Sequence, residues 1–125
     1  MNLNQVTVPS LDVEKAIEFY VQMGLKLIVK SLPKYARFEC PTGGSTFSLH
    51  QTNQMPIGEG IYVYFECEDL DKKVNELKQK GFKFELEPTD QSWLWREARL
   101  KDRDGNQLIL FYAGENRTNP PWKLK

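Results

Sequence analysis

Residues 6–25, VTVPSLDVEKAIEFYVQMGL, decide the fold. Val6 and Val8 alternate with Gln5 and Thr7, the period of two expected of a strand with one buried face. Asp12 then offers a capping carboxylate, Val13, Ala16, Ile17 and Tyr20 recur at helical spacing, and Gly24 supplies a stop. The same text returns at residues 61–82, IYVYFECEDLDKKVNELKQKGF. There Ile61, Val63 and Phe65 alternate with Tyr62, Tyr64 and Glu66, a helix starting near Asp69 buries Leu70, Val74 and Leu77, and Gly81 ends it. Setting Asp12 on Asp69 gives an offset of 69 − 12 = 57, and that offset also sets Gly24 on Gly81, Leu25 on Phe82 and Leu27 on Phe84. An internal repeat at fixed spacing means two copies of one structural unit.

Three more strands are expected after each glycine, at 25–31, 35–40 and 45–50 in the first copy and at 82–87, 94–101 and 106–112 in the second. The turn at Pro41–Gly44 corresponds to Asp102–Asn106, which contains Asp-Gly and reads as a hairpin. Ala36, Arg37 and Phe38 align with Ala98, Arg99 and Leu100. The chain is therefore expected to be one α+β domain over residues 1–125: two tandem βαβββ modules, about 1–51 and 61–112, a linker at about 52–60 marked by Pro56, Gly58 and Gly60, and a tail at 113–125. Neither module has enough residues to bury both faces of its sheet, so the two should share a core or a cup.

Composition narrows the partners. The 125 residues carry 17 basic and 17 acidic side chains, so no long-range field recruits nucleic acid or an anionic membrane. No apolar run approaches the length of a membrane span and no leader pattern follows Met1, so a soluble, cytoplasmic protein is expected. Cys40 and Cys67 sit in strand-like runs and read as small buried hydrophobes. A lone histidine and two scattered cysteines exclude zinc-finger spacing.

Alternation assigns the faces. Phe38, Phe47, Leu49, Val63, Phe65, Leu100, Leu108 and Leu110 should lie under the helices. The opposite, cup-lining face should carry Gln5, Thr7, Tyr35, Arg37, Glu39, Thr46, Ser48 and His50 from the first module. The second contributes Tyr62, Tyr64, Glu66, Trp95, Glu97, Arg99, Lys101, Ile109 and Phe111.

The front segment, together with DRDGNQLILFY at 102–112, resembles the vicinal oxygen chelate superfamily of glyoxalase I, extradiol dioxygenases, fosfomycin resistance enzymes and bleomycin resistance proteins. The resemblance spans about residues 3–112. It implies paired βαβββ modules whose curled mixed sheets form a cup-shaped cavity that, in the enzymes, holds a divalent metal chelating neighbouring substrate oxygens. The family's four ligand positions fall here on Gln5, Ser48, Tyr62 and Ile109. Only the first keeps a residue the family uses, and an amide, a hydroxyl, a neutral phenol and an alkyl group make a poor donor set. The usual metal site is therefore expected to be lost and no cofactor is expected; a rebuilt divalent site around His50 with Glu39, Glu66 and Glu97 is the alternative.

Arg37 and Arg99 are the side chains suited to grip an anionic ligand, because guanidinium offers paired donors. The competing reading is that Arg37 with Glu39, and Arg99 with Glu97, merely neutralise each other. Trp93, Trp95, Tyr62, Tyr64 and Phe111 add flat apolar surface of the kind small-molecule sites use, although the tryptophans could instead seal a sheet edge. The expected function is binding of an aromatic or anionic small molecule at Gln5, Arg37, Ser48, His50, Tyr62, Tyr64, Trp95, Arg99 and Phe111. The alternative is a lyase, isomerase or dioxygenase-type enzyme using a rebuilt metal site or acid–base chemistry from His50, Glu66 or Glu97. A homodimer is implied by the resemblance and by the need to cover sheet edges.

Overall fold

The computed structural model describes all residues, Met1–Lys125. Its first eight strands and two helices run β1 (Gln5–Ser10), α1 (Val13–Met23), β2 (Lys26–Ser31), β3 (Tyr35–Glu39), β4 (Thr46–Gln51), β5 (Tyr62–Glu66), α2 (Leu70–Gln79), β6 (Leu86–Asp90), β7 (Arg96–Lys101) and β8 (Gln107–Tyr112). Two four-stranded sheets result, ordered β1-β4-β3-β2 and β5-β8-β7-β6. In each, the first strand pairs in parallel with the fourth and the remaining pairs are antiparallel. The repeat expected from the 57-residue offset is thus a repeat of topology. The chain forms two compact units, Met1–Gly60 with Asp102–Asn106, and Ile61–Lys101 with Gln107–Lys125.

Local chemistry sets the helix ends. The Asp12 carboxylate accepts from the Lys15 N–H and the Asp69 carboxylate from the Lys72 N–H, so both helices open on a side-chain cap. Gly24 ends α1 at φ 117°, a left-handed conformation that costs a side-chain-bearing residue energy.

Several strand bounds differ from expectation by one to four residues, β7 starting at Arg96 and not at 94. The third-from-last strand starts at Leu86, not at residue 82, and continues through Pro88. Proline lacks a ladder donor, but β6 is an edge strand with a register shift between Leu86 and Thr89, where that donor is dispensable. Ile61, expected inside the second module's first strand, lies before β5 and is 62% exposed.

In the first unit Tyr20, Phe38 and Phe47 form the aromatic centre of the core, with Tyr20 ring centroids 5.6 and 4.6 Å from the other two. Tyr20 is fully buried, and its hydroxyl donates to Asp102 Oδ2 at 2.5 Å. Asp102, in the turn after β7, also accepts from the Asp104 and Asn106 backbone N–H groups and from Asn106 Nδ2, each at 2.9 Å. The Asn106 amide reaches the Pro9 carbonyl and Asp104 accepts from the Leu11 N–H, so the loop is seated beside α1. In the second unit, Arg96 at the start of β7 grips both oxygens of Asp71 on α2 and one of Asp90 on β6.

Burial, then the neighbouring Asp102 charge and hydrogen bond, push the Tyr20 phenol far above its ordinary value. The folded chain therefore keeps this proton where the unfolded chain gives it up, and stability falls as pH rises past about 10. At neutral pH, Tyr20→Phe should cost about 1–2 kcal/mol in urea unfolding and Asp102→Ala, which strands several buried donors, about 3–4 kcal/mol. The gap between wild type and Tyr20→Phe should narrow by pH 11. A constant gap would show that Tyr20 does not resist ionisation.

Candidate functional site

Along β3 the buried Ala36 and Phe38 alternate with the half-buried Tyr35 and Arg37, so the two polar side chains share one face. The first sheet's polar face carries a connected set. Gln5 Nε2 donates to Ser48 Oγ at 2.8 Å and lies 3.1 Å from Thr7 Oγ1, while the Thr46 hydroxyl donates to Gln5 Oε1. Tyr35 and Ser48 share a hydroxyl–hydroxyl bond of 2.7 Å, and Arg37 Nε donates to the Tyr35 oxygen at 2.9 Å. Gln5, Thr7, Ile28, Tyr35, Arg37 and Thr46 line an open concavity of about 420 Å³.

Arg37 belongs to none of the chain's ion pairs. The Glu39 carboxylate, two residues along the same strand, does not reach it. The Arg37 guanidinium thus meets the concavity with Nε committed to a neutral phenol and its two terminal nitrogens uncommitted. His50 stands opposite Tyr35 in the β3–β4 register and is exposed.

The second sheet repeats the geometry with different chemistry. Arg99 is Arg37 shifted by 99 − 37 = 62, and the residue two before it shifts equally, 97 − 35 = 62, so Glu97 stands where Tyr35 stands. Each arginine faces the same β8 or β4 position: Arg37 is paired with Ser48 and Arg99 with Ile109. Glu97 is completely buried, and its two oxygens take the Trp93 indole N–H at 3.0 Å and Arg99 Nη2 at 3.3 Å. The charge pair weighed from the sequence therefore forms in the second module and not in the first.

The remaining second-module candidates are aromatic or structurally committed. Trp95 stacks on Phe111 at 4.8 Å, and Tyr64 meets both edge-on at 5.9 and 5.4 Å. Phe111 and Ile109 are buried in a small cluster with Ala113, against which Trp95 packs. The Trp95 indole donates to the Asn116 carbonyl, and Glu66 accepts the Ala113 and Gly114 N–H groups, so both hold the short 3₁₀ turn Gly114–Arg117. Tyr62 is 40% exposed on edge strand β5. Burial, with the Glu97 charge second, raises the Tyr64 phenol against the lowering effect of Arg99. Tyr35 moves the other way: burial acts to raise it, but the Ser48 bond and the Arg37 bond and charge together lower it.

Sequence analysis of the whole chain agrees with this architecture: residues 2–110 match the Glyoxalase/Bleomycin resistance protein/Dioxygenase superfamily. The chain belongs to that superfamily. A trivalent organoarsenical cleaving enzyme of Bacillus sp. strain MD1 is 29% identical over 121 residues, covering 88% of this chain and 74% of that protein. A superfamily member from Nocardioides superposes with a TM-score of 0.80 at 21% identity, covering all of this chain and 90% of that one. A bleomycin-binding protein solved with bleomycin superposes with a TM-score of 0.74 at 18% identity, covering 90% of this chain and 98% of that one.

The superfamily's metal can be tested against the donors present. Gln5 spends its amide on Thr46 and Ser48, Tyr62 offers a neutral phenol, and Ile109 is an alkyl side chain buried in the apolar cluster. These residues do not fit a divalent cation, which needs several charged or strongly polar donors. No group of three or more His, Cys, Asp or Glu side chains is placed to share one.

No carboxylate is buried more completely than Glu97, and the Trp93 N–H is one of only two side-chain donors on it. Trp93→Phe should therefore lower stability by about 1–3 kcal/mol, measured by urea unfolding, although Trp93 itself is 40% exposed. An unchanged midpoint would mean the indole bond contributes nothing.

Proposed function

We propose that the first module's polar face binds a small organic anion, without the superfamily's usual divalent metal, and that Arg37 is the group that holds the negative charge. The observation that carries this reading is the uncommitted pair of Arg37 nitrogens lining a concavity of about 420 Å³ with no carboxylate in ion-pair range. A guanidinium presents such nitrogens as a fork that matches a carboxylate. Around it, Thr7 offers a hydroxyl and Ile28 an apolar wall, the mixture of polar and apolar lining typical of small-molecule sites. A superfamily relative whose solved structure contains bleomycin supports binding as an activity this fold can carry.

The relative that cleaves organoarsenicals favours the enzyme alternative, but its substrate is not carried over. Trivalent arsenic is a soft, thiol-seeking centre, and the two thiols of this chain, Cys40 and Cys67, are both half-buried. Burial raises both thiols above their ordinary value, Glu39 adding to the effect at Cys40, so little thiolate is present at neutral pH.

Benzoate followed by amide NMR provides the test, with inorganic phosphate as the rival anion. Benzoate should shift signals of β1, β3 and β4, and Arg37→Gln should weaken its binding at least ~10-fold, the loss of about 1.4 kcal/mol of charge-assisted hydrogen bonding. Melting curves with Ni, Zn, Mn and Fe(II) should be unshifted. Shifts that survive Arg37→Gln, or a melting temperature raised by one metal and lowered by chelation, would overturn the reading.

A further inference from the structure

Hydrogen-bond accounting on the first module's face leaves one proton over. The Val6 carbonyl, 3.2 Å from Gln5 Nε2, fixes which end of the amide is nitrogen, since an oxygen there would face another oxygen. Gln5 therefore donates to Ser48 Oγ, at 2.8 Å. Ser48 is completely buried, so its own hydroxyl hydrogen needs an acceptor. The acceptor it reaches is the Tyr35 oxygen, 2.7 Å away. Arg37 Nε donates to that same oxygen at 2.9 Å. The phenol oxygen thus receives two donors, one of them charged, and the Tyr35 hydrogen has no acceptor in the chain.

From this we propose that Tyr35 is the proton donor of the site, presenting its O–H to an anionic oxygen of the ligand that Arg37 holds. The proposal rests on the anion reading above and deepens it by naming the ligand chemistry: an organic acid whose charged oxygen is borne on carbon, as in a carboxylate or an enolate. Such an oxygen accepts the Tyr35 hydrogen while the Arg37 terminal nitrogens balance its charge. With a carboxylate the O–H stays on Tyr35 and binds. With the more basic oxygen of an enolate the proton can transfer: the Tyr35 O–H bond breaks, an O–H bond forms on the ligand, and the negative charge moves to the phenolate. That phenolate is stabilised by the Ser48 hydroxyl and the Arg37 Nε–H already pointing at it, and water restores its proton.

The charged and titratable groups facing Tyr35 fit this role. Arg37 shares its strand, with the guanidinium carbon 5.4 Å from the ring centroid. His50 stands opposite on β4, Ser31 opposite on β2 with Lys30 beside it, and β1 contributes only Gln5 and Thr7. No carboxylate pairs with Arg37 to cancel its effect on the phenol. The equivalent position in the second module is Glu97, an acceptor already consumed by Arg99 and Trp93, so the donor occurs in one module alone.

The test is ¹³Cζ-tyrosine NMR of the full chain from pH 6 to 11, with Tyr35 assigned by its loss in Tyr35→Phe, beside benzoate titrations. Tyr35 is expected to titrate below the ordinary phenol value of about 10, and Ser48→Ala, which removes one donor to its oxygen, should raise that midpoint. Tyr35→Phe should weaken benzoate binding at pH 7 by ~10-fold, and wild-type binding should weaken further as Tyr35 ionises, a pH dependence absent from the variant. A Tyr35 midpoint at or above the ordinary value, or equal benzoate affinity in wild type and Tyr35→Phe, would overturn the inference while leaving Arg37 as the anion anchor. Benzoate binding that ignores Arg37→Gln would instead overturn the anion reading itself.

Discussion

The hydrogen bond from the buried Tyr20 hydroxyl to Asp102 makes a core residue and a loop residue depend on one another. The tyrosine ring fills the aromatic centre beside Phe38 and Phe47, which commits its hydroxyl to an environment without water. A buried hydroxyl left without an acceptor would cost about 1–3 kcal/mol, so an acceptor supplied from elsewhere in the chain stabilises this arrangement. Asp102 supplies it, and the loop N–H groups of Asp104 and Asn106 supply the carboxylate with the donors that make its own burial tolerable. One carboxylate thus settles the position of α1's inner face and the shape of the 102–106 turn. β1 is tied in as well, through the Asn106 amide on the Pro9 carbonyl.

Duplication of the module left the same arginine at the same register in both sheets, and the residue two before it decides what each arginine can do. Beside Arg37 stands a neutral phenol, which accepts one N–H and leaves the positive charge uncompensated. Beside Arg99 stands a fully buried carboxylate, which consumes that charge. A buried anion such as Glu97 cannot remain ionised without partners, so Arg99 and Trp93 are structurally obliged to it. The first module's arginine is left without a carboxylate partner, while the second module's is paired within its own sheet.

Membership in the superfamily fixes the architecture, but chemistry resides in the donors placed on it. Ser48, Tyr62 and Ile109 carry no charge, so they give a divalent cation no electrostatic reason to bind there. Gln5, Ser48, Tyr35 and Arg37 are instead linked to one another in a hydrogen-bond chain.

The 57-residue offset, the capping aspartates, the glycine stops and the strand alternation were all legible in the sequence because each depends on neighbours within a few residues. Those local rules suffice for two βαβββ copies and for the side of the sheet on which Arg37, Tyr35, Ser48 and Glu97 lie. Strand β6 was misplaced by a few residues, since the tolerance of Pro88 depends on its being at an edge, and an edge is defined only by the assembled sheet. Glu66 and Trp95 read as cup-lining groups, yet their partners, the 113–114 N–H groups and the Asn116 carbonyl, lie tens of residues away. The sequence by itself determined the fold and its candidate polar face. Which arginine lacks a carboxylate partner, and which hydroxyls bond to one another, was decided by tertiary structure alone, because both depend on angström-scale distances between strands that local periodicity does not specify.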